Sequence, residues 1–128
     1  MKYITDAAEI PWREAPPPYT RFAKVLYSGL KNPGGAQVSL GLFRFKPGRQ
    51  SAPHVHHSEV EIYFTIAGRG KVVIDGADHP VKPGTIACIP PGALHQPVND
   101  GEEDWEFLAI FSPGLDMSFV EEWDPGTP

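Results

Sequence analysis

Three histidines and a glutamate carry the chemistry within reach of this sequence. His54-Val55-His56 sets two imidazoles at i and i+2. In extended backbone those side chains leave the same face, so both reach one point. Glu61 follows a short polar loop and stands at the mouth of the strand-like run EIYFTI. Its carboxylate can come round to meet the two rings. Far along the chain, His95 follows the rigid turn Pro90-Pro91-Gly92 and opens another short strand. Three imidazoles and one carboxylate converging inside a small barrel make a site for a first-row divalent metal. Neutral imidazole suits iron, nickel, copper and zinc, while the hard carboxylate oxygen keeps manganese and ferrous iron in play. Only neutral imidazole ligates, so binding weakens on acidification through the histidine range.

The elements that would hold these residues are strands. The chain has 128 residues, the size of one domain. Its 13 glycines and 15 prolines exceed a fifth of the residues, against a typical combined ~12%. Disorder would account for that excess, but 41% hydrophobic and 11% aromatic residues contradict it. Short strands cut by frequent tight turns explain both facts, so the domain is all-β. The pattern predicts strands over 21–28, 37–45, 61–66, 71–75, 85–89, 95–98 and 105–112, with turns at 29–35 and 76–79. Residues 1–20, with Pro11 and Pro16-Pro17-Pro18, read as an extended Pro-rich arm. Residues 21–114 form the barrel, and the tail 115–128 packs on it as a strand or short helix. Other classes fall away. A net charge of −5 without a Lys/Arg cluster disfavours nucleic acid. The one cysteine, Cys88, excludes an internal disulfide framework and, between apolar neighbours, reads as an inert core thiol. No stretch approaches ~18 apolar residues, and the start MKYITDAAEIPW lacks the apolar core of a secretory signal, so a soluble, cytoplasmic protein is expected.

The spacing carries a resemblance. Gly48-x5-His54-x-His56-x4-Glu61-x6-Gly68 resembles the first motif of the cupin superfamily, and Gly84-x5-Pro90-x-Gly92-x2-His95-x3-Asn99 resembles the second. All ten fixed positions are present, and 15 residues separate the motifs, a short spacing similar to that of small single-domain monocupins. The resemblance implies a double-stranded β-helix, the jelly-roll cupin barrel. It also implies one divalent transition metal per chain (Fe, Mn, Ni, Cu, Co or Zn) held by His54, His56, Glu61 and His95, with one or two positions left for water, dioxygen or substrate. Gly48, Gly68 and Gly84 would occupy turns needing positive φ or close approach, and Asn99 would bond local backbone.

Alternation fixes the surroundings. With Glu61 facing the metal, Tyr63 and Thr65 turn inward, while Ile62, Phe64 and Ile66 turn away. Placing Glu106 outside turns Trp105, Phe107, Ala109 and Phe111 inward, which makes Tyr63, Phe107 and Ala109 pocket candidates. Arg44 shares a face with Val38, Leu40 and Leu42 and either reaches solvent or anchors a substrate carboxylate. Gln37 and Gln96 are weaker candidates. His57, Glu59 and His79 read as solvated or supporting residues.

The reading that follows is a metal-dependent enzyme on a small organic substrate, with a dioxygenase first. Its substrate would bind the metal directly, and Glu61 would leave the metal to act as base. Alternatives are a non-redox isomerase, cyclase, epimerase or lyase with Tyr63 shuttling a proton, and a metabolite-binding module without turnover. Open strand edges and the extended arm predict a homodimer, with the arm adding to a neighbour's sheet.

Overall fold

The structure is a computed structural model that describes residues 3–28, 32 and 36–128. Among these residues, ten strands follow a 3-10 turn at Ala7–Glu9. They are β1 (Arg13–Glu14), β2 (Phe22–Tyr27), β3 (Ser39–Phe45), β4 (Val60–Ala67), β5 (Gly70–Ile74), β6 (Ala77–Val81), β7 (Ile86–Ile89), β8 (His95–Val98), β9 (Trp105–Ser112) and β10 (Asp124–Pro125). One helix, α1 (Ser118–Glu121), interrupts the tail. The strands form a seven-stranded sheet in the order β10-β1-β2-β3-β9-β4-β7 and a three-stranded sheet in the order β6-β5-β8. The turn expected at 29–35 lies outside the described residues, apart from Asn32. Among the described residues, no helix is long and apolar enough to cross a membrane.

The inner face obeys the period of two. Glu61, Tyr63 and Thr65 on β4 are buried, as are Trp105, Phe107, Ala109 and Phe111 on β9. On β3 the inner set is Ser39, Gly41, Phe43 and Phe45. The rings pack at a tilt: the Tyr63 centroid lies 4.3 Å from that of Phe107, and the Phe107 centroid 4.6 Å from that of Trp105. Burying each such side chain contributes about 1.5–3 kcal/mol. The indole of Trp105 is fully buried, and its Nε1–H donates to Thr65 Oγ1 at 3.1 Å. Next to that layer, Gly68 takes φ +75°, and a Cβ there would overlap the Asp104 carbonyl.

Four expectations need correction. The segment 76–79, expected as a turn, belongs mostly to β6; the turn is Asp75-Gly76, both at positive φ, joining β5 to β6 as a two-residue hairpin. Asp78 and Pro80 disguise β6, yet both suit its exposed position at the edge of the small sheet. Cys88 is exposed, not in the core. It lies opposite Ile62 on the outer face, because Glu61 and its partner Ile89 take the inner one. The arm does not lie ready for a neighbour's sheet: β1 pairs with β2 and β10 of its own. Ala109, offered as a pocket residue, is fully buried opposite Gly41 and Tyr63 and packs in the wall.

The outer face of the large sheet is unevenly covered. Near β2 and β3, Trp12 of the arm lies under Lys24 and Arg44, each cation 4.7 Å from its ring. Farther across, Phe64, Ile66 and Ile86 remain exposed, with Cys88 beside them.

Candidate metal centre

Backbone hydrogen bonds bring the two motifs together. His54 and His95 form an isolated antiparallel bridge, with the His54 amide donating to the His95 carbonyl (2.9 Å) and the reverse bond at 3.0 Å. Directly opposed residues project to one side, so the two rings lie 4.3 Å apart. The Gly92 amide donates to the His56 carbonyl at 2.8 Å, which ties the second turn to the first histidine loop. Gly92 makes its corner at φ +83°, a conformation open to glycine at no steric cost. Glu61 is the first inward residue of β4. Asn99 is fully buried and braces the far side: its Nδ2 donates to the carbonyls of Phe45 and Glu103, both at 2.8 Å, and its Oδ1 accepts from the Gly101 amide.

The structure gathers His54, His56, Glu61 and His95 so that one ligand atom from each lies within 4.8 Å of all the others. Glu61 Oε1 is 2.9 Å from His95 Nε2 and 3.5 Å from His56 Nε2. His54 Nδ1 donates to the Ala52 carbonyl (2.9 Å) and His95 Nδ1 to the Ala93 carbonyl (3.0 Å). Those bonds hold the proton on Nδ1 and leave Nε2 as the inward-facing ligand, as in histidine metal sites generally. His95 then has an acceptor at both ring nitrogens. Only a second proton or a cation can sit between its Nε2 and Glu61, and three neutral nitrogens plus one carboxylate fit a divalent cation.

Electrostatics divides the imidazoles. Burial drives the His54 pKa down to about 4 and also lowers that of His56. Burial opposes charge on His95 too, but the Glu61 hydrogen bond, the Ala93 carbonyl and the Glu61 charge together outweigh it and raise that pKa. Tyr63 is pushed well above its ordinary value by burial, then by the Glu61 charge, so its hydroxyl stays a neutral donor.

His54, His56 and Glu61 of the cluster line a cavity of about 390 Å³. Tyr63 and Phe107 line it, as does Phe111 from the same wall. The tail completes the lining with Leu115, Met117, Phe119 and Trp123, none of which sequence reasoning placed there. It also missed Arg21, which lines the cavity just before β2. Arg44 is not in the cavity: on the outer face its Nη2 donates to Glu106 Oε1 at 2.6 Å. Gln96 is engaged with the Ser51 carbonyl (2.9 Å), Gln37 is exposed, and His57 and His79 are exposed. Glu59 is half-buried outside the cluster, near enough for its charge to act on His56.

The family model for the Cupin domain matches residues 41–111. A dimethylsulfoniopropionate lyase of Ruegeria pomeroyi, DddW, is 41% identical over 73 residues, 57% of this chain and 47% of that protein. A gentisate 1,2-dioxygenase of Haloferax is 29% identical over 120 residues, 90% of this chain and 32% of that one. The solved structure of KdgF from Halomonas superposes with a TM-score of 0.77 at 21% identity, covering 91% of this chain and 97% of that one, and shares the jelly-roll fold. This chain spans about half, or less, of the length of the curated relatives it matches.

Proposed function

The chain belongs to the cupin family, and from that membership we propose a metal-dependent enzyme acting on a small organic substrate, a dioxygenase whose substrate reaches the metal directly. The observation that carries this reading is the convergence of His54, His56, Glu61 and His95 to within 4.8 Å, with the first three lining a mainly apolar cavity. These four are the proposed ligands of one divalent transition ion. Bound there, the ion would polarise a substrate oxygen as a Lewis acid and relay electrons between substrate and dioxygen. The chain's own residues do the rest. The carbonyls of Ala52 and Ala93 hold two imidazoles in the ligating tautomer. The aromatic walls exclude water and orient an unsaturated substrate. Glu61, in contact with two imidazoles, would leave the metal to accept a substrate hydroxyl proton. A Glu61→Gln protein that keeps its metal yet turns over normally would remove that last role.

One observation favours a non-redox lyase or isomerase: the Ruegeria lyase has the higher identity of the two relatives compared. In that reaction Tyr63, a neutral donor beside Glu61, delivers the proton. Elemental analysis of protein prepared without added metal, paired with oxygen uptake on enols, diketones and catechols, tests the proposal. Bound iron or manganese with oxygen uptake supports the dioxygenase, whereas turnover without oxygen uptake transfers the assignment to the lyase class. The exposed Phe64, Ile66 and Ile86 support a homodimer through this outer face, in the cytoplasm.

A further inference from the structure

Arg21 is a half-buried cation that makes no ion pair among the described residues. Its guanidinium carbon lies 4.9 Å from the Phe43 ring, 5.5 Å from Trp123 and 5.6 Å from Tyr19, and all three rings line the cavity with it. Nη1 donates to Ser51 Oγ at 2.8 Å, while Nε is buried with no hydrogen-bond partner. Arg21 makes no ion pair with a described residue; the nearby Glu61 is engaged by His56 and His95. Burial lowers the pKa of this guanidinium, yet arginine stays protonated at any ordinary pH. Drawing such a charge partly out of water without an anion, and leaving its Nε without an acceptor, costs free energy that ring faces offset only in part. A fold that keeps an unpaired cation in a ligand cavity therefore favours a ligand that brings the negative charge.

The position of this cation is coupled to the metal centre. Ser51 is fully buried; its hydroxyl accepts from Arg21 and donates to the Ala52 carbonyl at 3.2 Å. That same carbonyl accepts the Nδ1 proton of His54. One short relay thus fixes the guanidinium relative to a proposed metal ligand, so a molecule held at both ends would be held in one orientation. We propose that Arg21 is the anion anchor of the cavity and that the substrate is a small carboxylic acid. Its carboxylate pairs with Arg21, while its remaining body lies against the aromatic walls and turns toward His54, His56, Glu61 and His95. A carboxylate suits the site better than a phosphate. Among the described residues Arg21 is the one lysine or arginine in the lining, so a dianion would leave a charge unpaired. The planar guanidinium also meets a carboxylate with two parallel donors.

The inference deepens the proposed function and rests on the cavity being its substrate site. Benzoate and its neutral isostere benzamide are suitable probes, titrated by calorimetry into zinc-loaded protein and into protein stripped of metal. The expected result is benzoate binding at least ~10-fold tighter than benzamide in both forms. Arg21→Met should abolish that preference without changing metal content, and Arg21→Lys should keep part of it. The comparison of the two probes in the unaltered protein does not depend on either variant folding. Equal affinity for the two probes, binding of neither, or a preference that survives Arg21→Met overturns the proposal, and so does benzoate binding that needs the zinc. Loss of zinc binding with the benzoate preference intact would sink the metal reading and leave the anchor standing.

Discussion

Loading the centre with metal must displace protons, and the structure sets how many. Only neutral imidazole ligates, so each histidine protonated in the metal-free protein competes with the ion. Between pH 6 and 5, three unperturbed imidazoles near pKa 6.5 would each be about nine-tenths protonated. Binding would then release nearly three protons per ion, and affinity would fall roughly 500-fold across that unit. The structure predicts much less. His54, with its pKa near 4, is already neutral over this range and costs nothing. His56, lowered by burial, contributes a fraction. His95, raised by Glu61, carries its proton throughout the window and must lose it. The ion in effect replaces the proton between His95 Nε2 and Glu61 Oε1, which are 2.9 Å apart. Release should therefore lie between one and two protons per ion, and affinity should fall roughly 10- to 50-fold from pH 6 to 5. The sign is fixed: binding weakens as pH falls. Titrating stripped protein with cobalt(II) against a competing chelator gives the affinities, and calorimetry in buffers of different ionisation enthalpy gives the proton count. A release of nearly three protons, or of none, would refute the account of how burial and Glu61 divide the three imidazoles.

Metal removal should lower thermal stability: an ion at about 100 times its dissociation constant adds ~2.7 kcal/mol, or several degrees in melting temperature, and His54→Ala should erase the difference between melts with and without chelator. Asn99→Ala leaves the Phe45 and Glu103 carbonyls without their side-chain donor and should cost about 3 kcal/mol in urea unfolding; a change under ~1 kcal/mol would mean that water replaces it. Phe64→Glu puts a charge in the exposed outer-face patch, so it should shift elution to the monomer and speed modification of the Cys88 thiol, while an unchanged elution volume argues for another interface.

Much of the centre was legible because its geometry is local. Two histidines at i and i+2 share a face in any extended segment, and a Pro-Pro-Gly corner before His95 leaves few directions for that side chain. The inner sets of β4 and β9 follow from one anchor each, Glu61 facing in and Glu106 facing out. What locality does not supply is which face of a strand becomes the inside when both are apolar. Cys88 was misplaced for that reason: the run TIACI is apolar on both faces, and only the pairing of Ile89 with Glu61 decides the phase. For β6, composition spoke against a strand, although Asp-Gly between alternating residues was itself a hairpin signal.

Arg21 shows the same limit at the site itself. The alternation predicted for the first strand sets Ala23, Val25 and Tyr27 on one face, and Arg21 is in phase with them. Ala23 is fully buried opposite Phe43, so the residue two positions earlier also projects inward, at the rim where the strand meets the cavity. Alternation favours Arg44 instead, since its neighbours Leu40 and Leu42 read as core, but they lie on the outer face, where Glu106 on the adjacent strand and Trp12 of the arm satisfy its charge. A cation in phase with an apolar set is therefore ambiguous until the sheet's inside is known. The partners then separate the two cases, since Arg44 has a carboxylate at 2.6 Å, whereas Arg21 has three rings and a serine.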